Sequence, residues 1–280
     1  MQLRKSTLIL IFTAILFLSG CQINETENIS IPDAINEFHF SILKVGKADA
    51  IILQTQNHHI MIDCGETDDS DEVIEFLEEN DISKIDYLFI THFDKDHVGG
   101  AAEVIKNTEV GSVITPDYQG TNDEYISYLQ AVQKAGISPL ALTEKKTYVL
   151  DDVLLEVYPP QKKAYSEGDN DFSLLISITH GENNFLFTGD AEAERIAEIL
   201  TVINGEYEFL KVPHHGRYSD KTESLIKQVH PEYAIITDSD KNPAEQKTVT
   251  ILNKYGSKVY YTKDGDISVS SNGTEITINQ

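Results

Sequence analysis

The chain has 280 residues, 40% of them hydrophobic, and its 46 acidic and 22 basic side chains give a formal net charge of −24. A chain of this length can bury the core of one large α/β domain or of two small ones. Its negative charge argues against non-specific, high-affinity binding of nucleic acid through a basic face. It does not exclude a nuclease whose metal ions and local cations hold the phosphate.

The N-terminal segment is typical of a secretory leader. Two basic residues precede an apolar run over 8–18, which is too short to span a bilayer comfortably. The run leads into Leu18-Ser19-Gly20-Cys21, which resembles the bacterial lipobox, where the cysteine is lipidated and becomes the first mature residue. We therefore predict a signal peptide over 1–20, a lipid on Cys21 and a polar tether over 21–36. An ordinary cleaved signal or an uncleaved anchor is the alternative, and in each case the domain leaves the cytoplasm.

Removal of this leader changes both the charge and the number of thiols. Residues 1–20 contain two cations and no acid, which leaves 20 basic and 46 acidic side chains and a net charge of −26. With Cys21 lipidated, Cys64 is the remaining thiol and no intramolecular disulfide can form. Cys64 follows an apolar run, so we expect a small buried side chain rather than a nucleophile.

Residues 37–280 have the pattern of one α/β domain, because no linker rich in Gly, Ser or Pro divides them and they contain no repeat. A predicted β-meander is followed by alternating strands and helices, which favours layered α/β structure over two separate folds. Strands are predicted at 38–43, 50–53, 60–63, 87–91, 112–115, 153–158, 172–179, 184–187, 209–212, 233–237 and 259–262, with two short closing strands around Gly265 and Gly273. Helices are predicted at 70–80, 101–107, 123–135, 191–200, 222–229 and 244–255.

Polar residues that suit a metal ion follow four of the predicted strands. They are Asp63, the histidines and aspartates of Thr91–Gly100, Asp190 and the pair His214-His215. Ligands bind outside the carboxyl ends of strands in layered α/β proteins, so we expect these four sites to converge on one edge. Imidazole and carboxylate bind Zn²⁺, Mn²⁺ and Fe²⁺, and a set of this size suits a pair of divalent ions.

Other polar residues are assigned to the surface. His180 lies at a predicted hairpin turn, so we expect it to be exposed rather than a ligand. Lys95, Lys211 and Arg217 are near enough in sequence to the predicted site to contact substrate oxygens, but solvated surface positions are expected for all three.

The motif His92-x-Asp94-x-Asp96-His97 resembles the His-x-His-x-Asp-His signature of the metallo-β-lactamase superfamily, with an aspartate in place of the middle histidine. Asp63, Asp190 and Pro213-His214-His215-Gly216 resemble its first aspartate, its metal-bridging aspartate and its last histidine motif. The most similar variant is the soluble domain of ComEC competence proteins and its free-standing lipoprotein relatives. The resemblance extends from Glu37 to the C-terminus and implies a single-domain, four-layer αββα sandwich.

Two departures from the superfamily pattern bear on the metal. No histidine lies between His97 and His180, so the histidine of the third motif is missing, and Asn170-Asp171-Phe172-Ser173 stands in its place. The early motif Lys44-Val45-Gly46-Lys47-Ala48-Asp49 also differs from the usual Asp-Val-Gly-Gln-Gly-Asp, which leaves the role of Asp49 open. Oxygen donors shift the metal preference of a site toward Mn²⁺ or Mg²⁺. We therefore expect one or two divalent ions, Mn²⁺ or Zn²⁺, in a site that either is active with Mn²⁺ or holds only one tightly bound ion.

The resemblance implies a role for each matching residue. One metal is assigned to His92 and Asp94, the other to Asp96, His97 and His215, with Asp190 bridging and Asp63 orienting the ligands from behind. His215 is preferred to His214 as the ligand because Pro-x-His-Gly is the spacing of the superfamily. His214 is then a candidate proton donor or phosphate contact, and Asp96 and His214 are the candidate catalytic residues.

The predicted function is that of an extracytoplasmic, lipid-anchored, metal-dependent hydrolase, a phosphodiesterase or nuclease that uses a metal-bound hydroxide. The ComEC resemblance suggests DNA as substrate, whereas the charge of −26 favours a smaller or locally held phosphodiester. Phosphorylcholine esters are an alternative, and antibiotic hydrolysis is disfavoured because β-lactamases of this superfamily use the histidine-rich site. The competing class is a non-catalytic surface lipoprotein that keeps the fold as a binding module. The lipid is the predicted membrane contact, and no protein partner is predicted.

Overall fold

The computed structural model describes residues 36–166 and 168–280. The predicted signal peptide, the lipidated Cys21 and the tether as far as residue 35 lie outside the described residues. Within the described part of the chain, no helix is both long enough and apolar enough to cross a bilayer.

The strands of the described residues form two mixed sheets. The first has the order β15-β14-β1-β2-β3-β4-β5-β6 and the second the order β13-β12-β11-β10-β9-β8-β7. Neighbours within β3–β6 and within β10–β13 are parallel, and the other neighbours are antiparallel. The bounds are β1 Phe38–Ile42, β2 Ala50–Gln54, β3 His59–Cys64, β4 Lys84–Phe89, β5 Glu109–Pro116, β6 Leu140–Leu142, β7 Lys146–Leu150, β8 Val153–Tyr158, β9 Leu175–His180, β10 Asn183–Phe187, β11 Phe209–Lys211, β12 Tyr233–Ile236, β13 Lys258–Tyr261, β14 Ile267–Ser271 and β15 Ile276–Asn279.

Helices cover the outer face of each sheet. Residues of α1, α3 and α4 share a buried cluster with the first sheet, and residues of α5, α6 and α7 share another with the second sheet. Four layers result, so the αββα sandwich predicted from the sequence is confirmed. The bounds are α1 Ser70–Glu79, α2 Lys95–Val98, α3 Ala101–Asn107, α4 Asp123–Ala135, α5 Ala193–Val202, α6 Thr222–Val229 and α7 Gln246–Lys254.

Phenylalanines from both sheets meet in the central layer. Phe40 of β1 alternates with half-buried neighbours along its strand, which turns its ring toward the second sheet. Its ring lies 5.5 Å from that of Phe185 and 5.1 Å from that of Phe209, and both contacts are edge-to-face. These rings therefore fix how the two sheets are stacked.

Three strands differ from the sequence prediction: β6 of the first sheet, and β7 and β9 of the second. The short edge strands β6 and β7 were not predicted, because β6 spans three residues and β7 begins with the polar pair Lys146-Thr147 and lacks alternation of polar with apolar side chains. The strand predicted at 172–179 begins only at Leu175, because Asp169–Phe172 forms a 3₁₀ helix.

The predicted exposure of His180 is wrong. The residue is 0% exposed, its Nδ1 lies 2.8 Å from Oγ of Ser271, and its Nε2 lies 3.6 Å from Oδ2 of Asp152. The cause is the packing of the β9–β10 turn against the β14–β15 turn of the other sheet, where the amide of Glu182 donates to the carbonyl of Gly273 at 2.6 Å. A turn that is exposed within its own hairpin is thus covered by the first sheet.

Candidate metal centre

The ends of β3 and β4 are tied together by one carboxylate. Asp63 has a positive φ of 57° at the end of β3, which turns its side chain toward the next strand. The backbone amide of Thr91 donates to Oδ1 of Asp63 at 2.7 Å, and the Thr91 hydroxyl donates to Oδ2 at 2.6 Å. The residues that follow Thr91, beginning with His92, are thereby fixed beside β3.

Glycines let the next turn approach β3 closely. A Cβ on Gly100 would lie 2.1 Å from the carbonyl oxygen of Cys64, and one on Gly99 would lie 2.7 Å from the amide of Thr67. The amide of Gly100 donates to the carbonyl of Gly65 at 3.1 Å. The two glycines of the motif therefore serve close backbone packing, which seats α2 and its aspartate and histidine at the edge of the sheet.

Residues of the second sheet reach the same edge through strained turns. His214 and His215 both have positive φ angles, 49° and 54°, in the 3₁₀ turn Pro213–Gly216. Asp190 follows Gly189, whose φ is 52° and where a Cβ would lie 2.7 Å from Oγ of Ser173. Non-glycine residues adopt such angles at a cost, and in proteins they cluster at functional sites.

Four of the predicted ligands converge. One ligand atom from each of Asp96, His97, Asp190 and His215 lies within 4.8 Å of the others, and all four side chains are buried. Asp190 is central, because its Oδ1 lies 3.2 Å from Nε2 of His97 and its Oδ2 lies 3.0 Å from Nε2 of His215. Oδ2 of Asp96 lies 3.4 Å from the same His215 nitrogen.

His92 and Asp94 form a more open pair beside this cluster. Nε2 of His92 lies 3.8 Å from Oδ2 of Asp94, and the Asp94 side chain is 40% exposed. The rings of His92 and His97 are 4.1 Å apart, so the pair is adjacent to the buried cluster. The structure thus brings together all six residues predicted as ligands, with the aspartate variant at the solvent side.

A divalent metal ion fits the chemistry of this cluster. Within the described part of the chain, Nε2 of His92, His97 and His215 and Oδ1 of Asp190 are buried and make no hydrogen bond. Buried polar atoms are almost always paired, so four orphaned atoms at one place need a partner that the chain does not supply. Imidazole nitrogen and carboxylate oxygen are the donors that Zn²⁺ and Mn²⁺ accept, so the His and Asp clusters suit one or two ions.

The protonation states of His92 and Asp190 suit metal ligands. Burial, reinforced by His97, lowers the pKa of His92 to about 3, so this imidazole is neutral at pH 7. Burial raises the pKa of Asp190, but His215 and His97 outweigh it and hold the pKa well below its usual range. Burial also raises the pKa of Asp94 to about 6, because the nearby positive charge of His97 is too weak to compensate.

Behind the ligands lies an ion pair that the sequence did not reveal. Lys211, predicted to be a solvated surface residue, is 1% exposed, and that prediction is wrong. Its ammonium group forms an ion pair with Oδ2 of Asp49 and lies 3.7 Å from Oδ1 of Asp190. Asp49 is itself 1% exposed, so the early motif whose role was open contributes a buried carboxylate to the centre.

His214 faces a cavity beside the cluster. Nδ1 of His214 lies 2.8 Å from Oε1 of Glu192, and its Nε2 lies 3.8 Å from Oδ2 of Asp190. Burial lowers the pKa of His214 to about 4, so the ring is an uncharged imidazole at neutral pH. The cavity measures about 350 Å³ and is lined by residues that include Glu192, His214, Arg217, Tyr218 and Glu245.

The remaining cations near the site are placed differently. Arg217 is exposed at the rim of this cavity, as predicted, and Lys95 is exposed with its ammonium group 3.4 Å from Oε2 of Glu66. Lys47 was missed, although its ammonium group lies 2.7 Å from Oδ2 of Asp96. Its position two residues before Asp49, in a motif already singled out, is the signal that could have identified it.

Hydrogen bonds that fix the backbone next to His92 were also missed. The amide of Phe93 donates to the Tyr118 hydroxyl at 2.6 Å, and the side-chain amide of Asn122 donates to the Phe93 carbonyl at 2.6 Å. Oγ of Ser173, from the stretch that replaces the third-motif histidine, lies 3.5 Å from Nδ1 of His92. These contacts join residues far apart in sequence and leave no local pattern.

Comparisons with known proteins agree with this geometry. Residues 43–236 match the family model described as the metallo-beta-lactamase superfamily. ComE operon protein 3 of Bacillus subtilis is 28% identical over 194 residues, which cover 68% of this chain and 25% of that protein. Recombination protein 2 of Haemophilus influenzae is 26% identical over 228 residues, which cover 79% of this chain and 27% of that protein. The chain thus spans about a quarter of the length of these curated relatives.

A solved structure shows the same fold. The metallo-beta-lactamase fold protein YhfI from Bacillus subtilis superposes with a TM-score of 0.58 at 10% sequence identity, covering 87% of this chain and 100% of that chain. At this identity the likeness extends to the fold alone.

Proposed function

Because the chain belongs to the metallo-β-lactamase superfamily, as its motifs predicted, we propose that it is a metal-dependent hydrolase that acts on phosphodiesters. The observation that carries the proposal is the convergence of two buried nitrogens, unpartnered among the described residues, on the carboxylate of Asp190: Nε2 of His97 and Nε2 of His215. Within the described part of the chain, the equally buried and unpartnered Nε2 of His92 belongs to a ring that packs beside that of His97. A binding module that holds no metal has no need for such a costly arrangement of unpaired polar atoms.

The residues present would hold two ions in unequal positions. Asp96, His97 and His215 would hold one ion in the buried cluster, and His92 and Asp94 would hold the other, with Asp190 shared between them. A bound ion supplies Lewis acidity and lowers the pKa of water enough for attack at neutral pH. Because the outer position has an aspartate where a histidine is usual and is partly open, Mn²⁺ or Mg²⁺ suits it better than Zn²⁺.

The chain's own residues would orient the phosphodiester. Lys47 lies against Asp96 at the edge of the cluster and Arg217 stands at the rim of the adjoining cavity, so each can contact a phosphate oxygen. His214, whose Nδ1 lies 2.8 Å from Oε1 of Glu192, lines this cavity, and an anionic substrate bound there would favour its protonated form. His214 is therefore our candidate proton donor.

The size of the cavity and the charge favour a small or locally held phosphodiester. A cavity of ≈ 350 Å³ has room for one small group beside the metal, and the net charge of −24 repels a long polyanion. The name of the relative from Haemophilus influenzae refers to recombination, which supports testing DNA as well. Glu192, Asp220 and Glu245 line the same cavity and favour a second candidate, a phosphodiester with a cationic leaving group such as phosphorylcholine.

We also propose an extracytoplasmic location on the bacterial cell membrane. The support is the leader-like pattern over 1–20 and the lipobox-like Leu18-Ser19-Gly20-Cys21. The lipid on Cys21 would be the membrane contact, and no protein partner is proposed. Metabolic labelling with a radioactive fatty acid tests this, since a Cys21→Ala variant that is labelled as well as the parent contradicts it.

The hydrolase proposal is tested by a substrate screen with the full-length protein. Bis-aryl phosphate, single- and double-stranded DNA, a phosphorylcholine ester and a β-lactam are each assayed with Zn²⁺, Mn²⁺ and Mg²⁺. We expect turnover of a phosphodiester with Mn²⁺, and its loss in His92→Ala and Asp190→Ala, whereas the distant Ser271→Ala keeps it. Absence of turnover in every assay, with the two ligand variants binding metal like the parent, would sink the proposal.

A further inference from the structure

Four buried side chains form a line that ends at a predicted metal ligand. The Lys211 ammonium group forms an ion pair with Oδ2 of Asp49, and the Thr237 hydroxyl donates to Oδ1 of Asp49 at 2.7 Å. Nδ1 of His215 lies 2.9 Å from that hydroxyl oxygen and 3.0 Å from the carbonyl oxygen of Thr237. None of the four residues is more than 2% exposed, so water does not compete with these contacts.

The direction of each hydrogen bond in this line is determined by chemistry. An ionised carboxylate can only accept, so the hydroxyl proton of Thr237 is committed to Asp49. The same hydroxyl can then only accept from His215, and the Thr237 carbonyl can likewise only accept. The proton of the neutral His215 ring must therefore lie on Nδ1, which leaves the lone pair of Nε2 free to face Asp190 at 3.0 Å.

Lys211 keeps Asp49 in the state that this line requires. A lone carboxylate at this depth would be costly, and the ammonium group at Oδ2 both stabilises its charge and orients its other oxygen toward Thr237. The backbone of Asp49 is fixed as well, because its amide donates to the carbonyl of Asp96 at 3.0 Å and its carbonyl accepts from the amide of Gly65 at 2.8 Å. Asp49 is thus bound through its backbone both to the turn after β3, at Gly65, and to the motif after β4, at Asp96.

We propose that Asp49 is a positioning residue which, held by Lys211 and acting through Thr237, fixes the ring of His215 so that Nε2 is presented to the metal. The inference rests on the proposed role of His215 as a metal ligand, but on no particular substrate. It gives the early motif a function in the centre, and it differs from the Asp63–His97 contact, in which a carboxylate reaches the ring directly. Partners of this kind typically change metal affinity by about 10- to 100-fold.

Metal affinity is the first measurement. Dissociation constants for Zn²⁺ and Mn²⁺ are determined by competition with a chelator, well below the unfolding midpoint of each variant of the full-length protein. Asp49→Asn turns an obligate acceptor into a group that can also donate, and Thr237→Val removes the hydroxyl at nearly constant shape. Thr237→Ser restores the hydroxyl, and Ser271→Ala is the matched control, because it disturbs another buried histidine, His180, at the opposite end of β9.

The tautomer of His215 is the second measurement. In metal-free protein at alkaline pH, a long-range ¹H–¹⁵N spectrum reports which ring nitrogen carries the proton, and loss of general stability does not move this signal. Both measurements are made without substrate, so a failure to find turnover bears on the proposed function and not on this inference.

We expect Asp49→Asn and Thr237→Val to weaken metal binding by about 10- to 100-fold and to mix the tautomers of His215. Thr237→Ser and Ser271→Ala should bind metal like the parent. The double variant Asp49→Asn/Thr237→Val should bind metal no more weakly than the weaker of its two single variants, since both substitutions act in one line. If Asp49→Asn fails to fold, Thr237→Val alone decides. Parent-like affinity and an unchanged tautomer in Thr237→Val would overturn the inference, as would losses that multiply in the double variant.

Discussion

Asp63 and His97, 34 positions apart in the chain, share a buried hydrogen bond of 2.8 Å between Oδ2 and Nδ1. Because the same carboxylate also receives the amide and the hydroxyl of Thr91, its orientation does not depend on the histidine. The His97 ring is therefore held with Nε2 directed at Asp190 before any ion binds. The inner part of the site is preorganised by strand ends rather than by the metal.

We expect Asp63→Asn to weaken Zn²⁺ and Mn²⁺ binding by about 10- to 100-fold, since the amide can present a donor to Nδ1 and favour the wrong tautomer. Chelator competition measures the loss. The control is Asp152→Asn, beside the distant His180, which should bind metal like the parent. Equal affinities in parent and Asp63→Asn would contradict this role.

Asp94→His should shift the metal preference from Mn²⁺ toward Zn²⁺. The substitution places a nitrogen donor beside His92, 3.8 Å away in the parent, and recreates the histidine-rich motif of the superfamily. Metal content after exposure to an equimolar mixture of the two ions reports the preference. Asp94→Asn, which removes the charge without adding a nitrogen ligand, separates the two effects. A Zn²⁺ share unchanged in Asp94→His would show that this residue does not select the ion.

Tyr118→Phe should lower the free energy of unfolding by about 1–3 kcal/mol, because it leaves the amide of Phe93 without its acceptor. Urea unfolding measures the change. Tyr128→Phe is a matched control, because the buried Tyr128 hydroxyl makes no hydrogen bond with any described residue, and little loss is expected. If the two variants are equally destabilised, the hydroxyl of Tyr118 has no special role.

Gly100→Ala should cost about 3 kcal/mol of stability, because the new methyl group would meet the carbonyl of Cys64 at 2.1 Å and must displace backbone. Gly136→Ala provides the comparison, since no described atom lies within 4 Å of its Cβ position and only its φ of 72° is unfavourable. About 1 kcal/mol is expected there. Thermal unfolding of both variants in the presence of chelator measures the difference, and a smaller loss in Gly100→Ala would refute the packing argument.

Asp151→Asn should give a stability loss that depends on pH. Burial raises the pKa of Asp151, but hydrogen bonds from the Thr55 hydroxyl and from both amides of Asn57 outweigh it and hold the pKa below its usual value. A lowered folded-state pKa stabilises above the unfolded-state pKa of about 3.9, and this stabilisation is lost as the pH falls through the folded-state pKa.

We therefore expect Asp151→Asn to lower the free energy of unfolding by about 0.5 kcal/mol at neutral pH, a small value because solvent screens this site. The difference from the parent should disappear in acid. Asparagine also tolerates the φ of 56° at this position, so backbone strain is not altered. Urea unfolding over a pH series tests this, and a difference that stays constant down to pH about 3 would contradict it.

The sequence was most informative where chemistry follows a strand directly. Asp94 and its neighbours could be recognised because two histidines and two aspartates stand within ten positions directly after an apolar strand, and a sheet brings strand ends together. The layers could likewise be predicted from the alternation of strands and helices.

Lys211 and His180 were misjudged for a common reason. Each is buried by a residue of the opposite sheet, Asp49 for the lysine and Ser271 for the histidine, and the pairing of sheet faces leaves no periodic trace in one sequence. Tyr118 was missed because its hydroxyl serves a backbone amide rather than a ligand. Whether a polar side chain is buried depends on a partner that is distant in sequence, and local patterns do not identify that partner.

The ligand set is divided between the two sheets. His92, Asp96 and His97 follow a strand of the first sheet, whereas Asp190 and His215 follow strands of the second. A cation that binds across this division is thermodynamically linked to the stacking of the sheets, since whatever favours one favours the other. Substitutions in the central phenylalanine layer should therefore change the metal affinity. Phe40, which lies at an inner face and not at the site, belongs among the residues that determine this affinity.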